Sequence, residues 1–438
     1  MLIDFENKKS ELDKLVLPNM YGAITGVAGF KITSLGPKVS IGDLCTIKGG
    51  QGDVLCEVIG FNGKEKFLMP FKKLHNVQDG DKVYKMSKNL SVNISEDYVG
   101  CVLNGIGEII QDNGIENKRN DSVFLYNSAP SPTERGKIDK IFKTGVKVID
   151  GALTIGVGQR VGIFAGSGVG KSTLLGNIVK NSSADIKVIA LVGERGRELN
   201  EFIEILGDGL KDAILVTATS NDSALLRLKC AYTATSIAEY FRDKGKDVLL
   251  VMDSLTRFAH AQRDIATNTG EVASVKGYPP SVFSMFPELL ERAGKNAKGS
   301  ITAIYTVLVD GDDENEIISD TVRGILDGHF VLSRKLANKK QFPAIDVLKS
   351  VSRLIGSLID DDHKTALNNV SAILSFCETK EDFLSLMYQK DSDRNIDRIL
   401  ELHDLIIKFL KQNNTEEYSF EASRKFLVDN FLNVNVRL

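Results

Sequence analysis

The chain has 438 residues, more than one hydrophobic core usually supports, so we expect two or three domains. Its 55 Lys and Arg residues nearly balance 58 Asp and Glu residues, and the formal net charge of -3 excludes a global electrostatic attraction to nucleic acid or anionic lipid. Five scattered cysteines without CxxC spacing indicate neither a disulfide framework nor a zinc site. No apolar run approaches the roughly 20 residues of a membrane span, so we expect a soluble, cytoplasmic protein.

The first 95 residues divide into two segments of different character. Residues 1–18 mix charged and apolar side chains, which predicts a frayed terminus or, alternatively, a short helix that docks onto a partner. Residues 19–95 consist of short β-rich runs separated by turn dipeptides such as Asn62-Gly63 and Asp79-Gly80, a pattern typical of a small β-barrel or sandwich. The glycine-rich, polar stretch 96–145 is predicted to be a linker that crosses into the next domain.

Residues 96–365 are predicted to form an α/β core, because strongly apolar runs alternate with helical patterns. The runs are residues 161–164, 187–192, 213–217, 248–252 and 301–309. Their hydrophobicity is continuous, which indicates strands buried on both faces and therefore a mainly parallel sheet between helices. In residues 366–438 the pattern becomes fully helical, and an apolar stripe that includes Ile399 and Ile406 predicts a C-terminal helical domain.

The clearest motif, residues 165–173 (AGSGVGKST), lies where a predicted strand gives way to a predicted helix. Glycines let backbone N–H groups wrap around phosphates, and the helix N-terminus adds partial positive charge. Lys171 would reach the β- and γ-phosphates, and the Ser172 hydroxyl would bind Mg2+. Ala165 stands where the strict motif has glycine, and the alternative is a glycine-rich turn with a chance Lys-Ser pair. The predicted phosphate-binding residues are Gly166, Ser167, Gly168, Val169, Gly170, Lys171, Ser172 and Thr173.

Two acidic residues follow other predicted strands. Asp253 comes directly after residues 248–252, at the kind of strand end where open α/β sheets bind ligands, and is predicted to hold Mg2+ through its water shell. Glu194 follows the strand 187–192 and is predicted to orient and polarise the water that attacks the γ-phosphate. From local sequence alone, a solvated charged turn explains the segment around Glu194 equally well.

Five further segments lie around or after these motifs. They are residues 253–264 (DSLTRFAHAQRD), 277–283 (GYPPSVF), 289–294 (LLERAG), 299–302 (GSIT) and 326–334 (LDGHFVLSR). From Tyr21 to the C-terminus, the chain resembles the flagellar and type III secretion export ATPases, which are relatives of the catalytic β subunit of rotary ATP synthase. The resemblance implies a RecA-like phosphate-loop core that binds ATP and Mg2+. Residues 270–273 (GEVA) depart from the family, which often carries two prolines there.

The resemblance also implies roles for individual residues. Around the phosphates these are Lys171 and Ser172 as phosphate and Mg2+ contacts, Glu194 as catalytic carboxylate, Asp253 as an acid of the Mg2+ shell, and Arg195 and Arg257 as arginines near the γ-phosphate. Phe342, in the turn 342–346, would stack on adenine, and Tyr388 would be a second aromatic side chain beside the base. Arg353 would be the arginine finger that one subunit inserts into its neighbour's site. Local sequence alone also allows a buried aromatic at Phe342 and an ordinary surface arginine at Arg353.

The family further implies a homohexameric ring that energises flagellar protein export and unfolds or releases chaperone-bound substrates. Implied partners are a regulatory, stator-like export protein, a central stalk protein, the export gate at the membrane and chaperone–substrate complexes. The protein would then be peripheral at the inner-membrane export apparatus. No stable nucleic-acid binding is expected.

Four alternatives remain at this stage. A virulence injectisome ATPase of the same family would share every site residue named above. A rotary synthase catalytic subunit would differ in the loop 277–280 and would need a partner chain. An RNA translocase of the Rho type has a segment similar to 342–346, but the barrel region here lacks a basic, aromatic-rich strand pair. A non-catalytic nucleotide-binding scaffold fits poorly with Lys171, Glu194, Asp253 and Arg353 together.

Overall fold

The computed structural model describes residues 21–50, 52–74, 77–112, 114, 121–309, 316–389, 391–413, 416 and 418–434. The chain divides into two compact units, one formed by residues up to Ser91 with Asp264–Val272, the other by Val92–Arg263 with Ala273–Leu438. The docking helix considered for residues 1–18 lies outside the described residues. Among the described residues, no helix combines the length and hydrophobicity that a membrane crossing requires.

The first unit contains a closed six-stranded barrel, as predicted. Its strands are β1 Tyr21–Ala28, β2 Lys31–Leu35, β3 Asp43–Gly49, β4 Gly52–Asn62, β5 Glu65–Pro70 and β6 Lys82–Asn89, arranged in the order β1-β2-β5-β4-β3-β6. Alternate side chains point inward, and Ile24, Ile32, Ile47 and Val58 belong to its small apolar core. The turn at Asn62-Gly63 joins β4 to β5 and places Gly63 in the left-handed region, with φ of 56°.

The second unit is built on a ten-stranded, mainly parallel sheet, which confirms the predicted α/β core. Its strands are β8 Val102–Asn104, β9 Ile109–Gln111, β13 Arg160–Ala165, β14 Ile186–Glu194, β15 Ala213–Thr219, β16 Asp247–Asp253, β17 Gly294–Lys295, β18 Ser300–Leu308, β19 Gly328–Leu332 and β20 Ile345–Ser352. The order is β20-β19-β13-β18-β16-β14-β15-β8-β9, with β17 paired to β18. Two short pairs accompany it, β7 Ser91–Ile94 with β10 Asp121–Phe124, and β11 Ile141–Phe142 with β12 Ile155–Gly156.

The interpretation of residues 96–145 as a linker was wrong in part. Strand β8 pairs in parallel with β15, and β9 pairs antiparallel with β8, so this stretch extends one edge of the sheet. Both strands have only three residues, which is too short for a period-2 or apolar-run signal to stand out against the surrounding glycines.

Helices cover the sheet and complete the C-terminal region. Those of the core are α1 Lys147–Ala152, α2 Lys171–Asn181, α3 Gly196–Leu206, α4 Ala224–Asp243, α5 Leu255–Thr269, α6 Pro280–Leu290, α7 Ile317–Ile325, α8 Arg334–Asn338 and α9 Ile355–Leu358. The C-terminal ones are α10 Asp361–Thr379, α11 Glu381–Leu386, α12 Arg394–Leu410 and α13 Phe420–Phe431. One apolar core runs from sheet residues such as Ile163 and Ile189 to Ile373 and Ile406 of these helices, which confirms the predicted helical C-terminal region.

Candidate active site

The phosphate-loop motif connects β13 to α2, whose first residue is Lys171. Gly168 and Gly170 adopt φ of 77° and 90°, a left-handed conformation that residues with a Cβ rarely adopt, so both positions require glycine. Ala165 is the last residue of β13 and has an extended conformation there, so its side chain causes no conflict at the loop entry. The first turn of α2 faces the loop with its free N–H groups, as an anion site requires.

Lys171 and Asp253, which are 82 positions apart in the chain, form an ion pair in the folded protein. The Lys171 Nζ atom lies 2.5 Å from Asp253 Oδ1. Asp253 is the last residue of β16, which pairs directly with β18. Thr306 is in β18, and its hydroxyl donates to the same Oδ1 atom of Asp253 at 2.6 Å. The side chains of Lys171 and Asp253 are only 14% and 6% exposed, so this contact is sheltered from bulk water.

The oxygen donors near the loop fit a nucleotide-bound Mg2+ ion. Asp253 supplies a carboxylate, and Ser172 supplies a hydroxyl on the exposed first turn of α2. Within the described residues there is no cluster of three His, Cys, Asp or Glu side chains that would form an all-protein metal site. Mg2+ in phosphoryl-transfer sites typically keeps several waters and takes only one or two protein ligands beside the substrate phosphates, so this small donor set is sufficient.

Glu194 ends β14, the strand that pairs with β16, where Leu191 lies opposite Asp253. Burial and, after it, the negative charge of Asp253 raise the pKa of Glu194 to about 8, while Lys171 and Arg257 oppose the rise. Its Oε1 atom is buried and accepts no hydrogen bond from the described part of the chain. In its ionised form, which predominates above about pH 8, this carboxylate binds a proton more strongly than an ordinary glutamate does, which suits a general base.

The two arginines assigned near the γ-phosphate differ in placement. Arg257 lies in α5, and its Cβ would be 3.2 Å from a Cβ added to Gly193, so it packs against the backbone immediately before Glu194. Arg195 precedes α3, and its side chain is 79% exposed, with Nε 3.9 Å from Glu198 Oε1. The folded chain therefore brings Arg257 to Glu194 and leaves the Arg195 guanidinium in solvent.

Phe342 lies against the phosphate loop. A Cβ added to Gly170 would lie 3.5 Å from the ring of Phe342. Phe342 is nevertheless 40% exposed to solvent. The Phe342 carbonyl accepts a hydrogen bond from the Gln412 backbone N–H at 2.9 Å. The Gln412 side chain in turn accepts from the Lys147 N–H and donates to the Gly145 carbonyl. This exposed ring beside the loop is suited to stack on a base, and it is tied to the end of α12.

Tyr388 occupies a different neighbourhood, in the connection between α11 and α12. Its hydroxyl donates to the Asp393 carbonyl at 2.9 Å and contacts Asp397 Oδ1 at 3.0 Å, and its ring packs beside Phe383. The described contacts of Tyr388 include neither the phosphate loop nor Phe342. Its assignment as a base-flanking residue stays a prediction without support from these contacts.

Arg353 lies far from the phosphate loop of its own chain. Strand β20 is antiparallel to β19, and the Arg353 N–H donates to the carbonyl of Asp327, immediately before β19. Asp327 also accepts bonds from Arg160, the first residue of β13, so Arg353 is at the amino-terminal edge of the parallel strands. The phosphate loop follows the opposite end of β13, about 17 Å away at 3.3 Å per residue.

Two family models match this chain, one over the α/β core and one over the C-terminal helices. Residues 145–352 match the family model described as ATP synthase alpha/beta family, nucleotide-binding domain, and residues 359–429 match the T3SS EscN ATPase C-terminal domain. The flagellum-specific ATP synthase of Bacillus subtilis is 50% identical over 409 residues, which cover 92% of this chain and 93% of that protein. The chain belongs to the family of flagellar and type III secretion export ATPases.

Other relatives agree with this membership. The type 3 secretion system ATPase of Xanthomonas euvesicatoria is 42% identical over 422 residues, which cover 95% of each chain. The solved structure of the assembled ATPase EscN from the enteropathogenic E. coli type III secretion system superposes with a TM-score of 0.89, at 42% identity over 94% of this chain and 100% of that chain. These findings confirm the predicted architecture, the ATPase activity and the role in flagellar protein export.

Sequence-based prediction missed three residues around this export ATPase site. Thr306 holds Asp253, Gln412 anchors Phe342, and Gly193 leaves room for Arg257 while adopting φ of 71°. Thr306 had a recognisable signal, because it is a polar residue within the apolar run 301–309. The other two contacts join distant parts of the chain and have no local signature.

Proposed function

We propose that this export ATPase hydrolyses Mg-ATP at the carboxyl edge of its parallel sheet and that a neighbouring copy completes the site. The observation that supports the chemistry is the convergence of Lys171, Asp253 and Glu194 at one edge of the sheet, although they belong to three different elements, α2, β16 and β14. The glycines of the loop would hold the phosphates through backbone N–H groups, and Lys171 would neutralise part of their charge.

The residues around the γ-phosphate divide the work of hydrolysis. Glu194 would accept a proton from the attacking water, because its raised pKa makes it a competent base near pH 8. Ser172 and Asp253 would hold Mg2+, directly and through water. When bound, Mg2+ supplies electrostatic stabilisation of the charge on the transferred phosphoryl group. Arg257 would stabilise the same negative charge through its guanidinium group. Arg195 would do so after its exposed side chain changes rotamer.

Arg353 would act on the site of an adjacent subunit. Its position at the amino-terminal edge of β13 and β19 keeps it out of reach of its own phosphate loop, because an arginine side chain is shorter than the strand between them. An arginine finger supplied by a neighbour would therefore require an assembly, and a homohexameric ring meets that requirement with every site equivalent. The relative EscN, solved in an assembled form, supports an assembly of this kind.

Nucleotide turnover would be transmitted to the C-terminal helices through Phe342. The hydrogen bond from Gln412 joins the base-binding segment to the end of α12, so a shift at one would move the other. We propose that this movement acts on a central stalk, as supported by the solved complex of EscN with its central stalk EscO. By the same family relation, the regulatory export protein, the membrane export gate and chaperone-bound substrates are proposed partners at the inner-membrane apparatus.

Mixing two inactive variants tests the shared site. Lys171→Ala removes the phosphate contact and keeps the finger, whereas Arg353→Ala removes the finger and keeps the pocket. Each alone should lack turnover, and Arg353→Ala should still bind ATP. In an equal mixture on the order of a quarter of the sites would combine an intact pocket with an intact finger, so part of the activity should return.

Controls make this result specific. Arg398→Ala removes an exposed arginine that pairs with Glu401, and this variant should retain concentration-dependent turnover. The size of each assembly should be measured in parallel. A mixture that assembles yet stays inactive would show that Arg353 does not act across an interface, and loss of ATP binding in Arg353→Ala would give it a different role.

A further inference from the structure

Thr306 contacts the same oxygen of Asp253 that Lys171 contacts. Its hydroxyl donates to Asp253 Oδ1 at 2.6 Å, while Lys171 Nζ lies 2.5 Å from that atom. Thr306 is fully buried, and Asp253 is 4% exposed, so both partners of this hydrogen bond are shielded from water. A hydroxyl bonded to an ionised carboxylate in such a setting is among the stronger hydrogen bonds in proteins.

The two donors differ in their freedom to move. Lys171 has a flexible side chain and, in the proposed function, must turn toward the phosphates. Thr306 is in β18, a strand that is hydrogen-bonded in parallel to a neighbour on each side. On one side is β13, where Ile163 lies opposite Thr306. On the other side is β16, where Met252 lies opposite Tyr305. When Lys171 turns away, Thr306 is the donor whose position the sheet maintains.

The residue type at this position suits that task. Threonine is β-branched, so its χ1 angle is restricted and its hydroxyl is aimed more narrowly than that of serine. Its neighbours Tyr305 and Val307 are also fully buried, and a buried hydroxyl without a partner would be costly. Thr306 and Lys171 both contact the Oδ1 atom of Asp253. The other carboxylate oxygen, Oδ2, would then hold a water of the Mg2+ shell.

We propose that Thr306 is a positioning residue that keeps the Asp253 carboxylate oriented for the Mg2+ water shell while Lys171 is engaged by nucleotide. Its role depends on the proposed function of Asp253. Thr306 itself touches neither nucleotide nor metal, so it should influence how much Mg2+ strengthens nucleotide binding and not the binding of metal-free nucleotide.

The test uses the purified full-length chain and a fluorescent ADP analogue, N-methylanthraniloyl-ADP. The Kd is measured once in Mg2+ and once in EDTA. The Kd in EDTA divided by the Kd in Mg2+ gives the factor by which the metal strengthens nucleotide binding. Thr306→Val removes the hydroxyl at nearly constant volume and should lower this ratio roughly tenfold, as expected for one hydrogen bond to a charged group. Thr306→Ser, which restores a hydroxyl, should recover most of the ratio, and the Kd in EDTA should be unchanged in both.

Two further variants complete the design. Thr235→Val removes another buried hydroxyl, which donates to the Ala231 carbonyl within α4, and should leave the ratio unchanged. Asp253→Asn should lower the ratio at least as much as Thr306→Val. Thermal unfolding of every variant checks the fold, and Thr306→Ala replaces the valine variant if the latter does not fold.

The outcomes separate the two proposals. If Thr306→Val weakens binding equally in Mg2+ and EDTA, or leaves the ratio intact while Asp253→Asn lowers it, Thr306 contributes packing alone and the inference is overturned. If Asp253→Asn itself leaves the ratio intact, the proposed metal-shell role of Asp253 fails first. A serine variant no better than the valine variant would also count against the hydroxyl.

Discussion

Replacing Glu194 with glutamine measures how strongly the fold disfavours a negative charge at this position. In the folded, ligand-free chain the pKa of Glu194 is raised from 4.5 to about 8, first by burial and then by the charge of Asp253. Between these two pH values the folded state holds a proton that the unfolded state has released. Stability should therefore fall as pH rises through this window, and the loss should be complete above pH 8. Glutamine does not titrate and removes this dependence.

The size of the effect follows from the two pKa values. From about pH 5.5 to pH 8, pKa values of 4.5 and about 8 give a loss of about 3 kcal/mol in wild-type stability, at roughly 1.4 kcal/mol per pH unit. The difference in unfolding free energy between Glu194→Gln and wild type should grow by that amount across the range. In thermal unfolding, an entropy of about 2.1 cal/mol/K per residue over 438 residues converts this loss into a widening of the Tm difference by roughly 3 °C.

The assay compares thermal unfolding of the ligand-free chains across this pH range, with Glu201→Gln as the matched control. Glu201 lies in α3, the helix that follows Glu194 in the chain, and pairs at 2.7 Å with Arg197 at the surface, so its replacement should change Tm little at any pH. Wild-type turnover should also rise with pH, because the proposed base acts in its ionised form. A difference between Glu194→Gln and wild type that stays constant with pH would refute the raised pKa.

Three further substitutions test the base site and the core. Phe342→Ala should weaken binding of N-methylanthraniloyl-ADP roughly tenfold through loss of stacking on the base, whereas Phe342→Tyr should bind this nucleotide normally, both measured by fluorescence titration. Tyr388→Ala should weaken binding similarly only if this residue flanks the base; unchanged affinity would contradict that prediction and agree with its contacts to Asp397 and the α11–α12 connection. Arg292→Leu should destabilise the core by about 3 to 5 kcal/mol in denaturant unfolding, because it leaves the buried Glu239 carboxylate unpaired, and a loss below 1 kcal/mol would contradict this.

The local features of this ATPase could be predicted because their causes are local. The phosphate loop needs glycines where the backbone adopts the left-handed conformation, and Gly168 and Gly170 both adopt it. Strands buried on both faces require continuous apolar runs, which is why β13, β14, β15, β16 and β18 were all located from sequence. Asp253 and Glu194 could be placed at one sheet edge because carboxyl ends of parallel strands meet there.

The remaining features depend on which strands become neighbours, and hydrophobic patterning does not specify that. Strands β8 and β9 join the sheet only through pairing with β15 and with each other, although their own sequence is that of a turn-rich connection. The bond between Thr306 and Asp253 likewise exists because β18 lies beside β16. Such contacts join residues far apart in the chain, so no window of local sequence contains both partners.

The same distinction applies to the residues that carry function. The sequence predicted Lys171, Glu194 and Asp253 as the groups for phosphate, water and metal, since each of these partners requires a particular kind of side chain. Only the folded chain sets the raised pKa of Glu194, because burial beside Asp253 is a property of packing. Only the antiparallel course of β20 places Arg353 at the edge opposite the phosphate loop of its own chain, as its proposed role across a subunit interface requires.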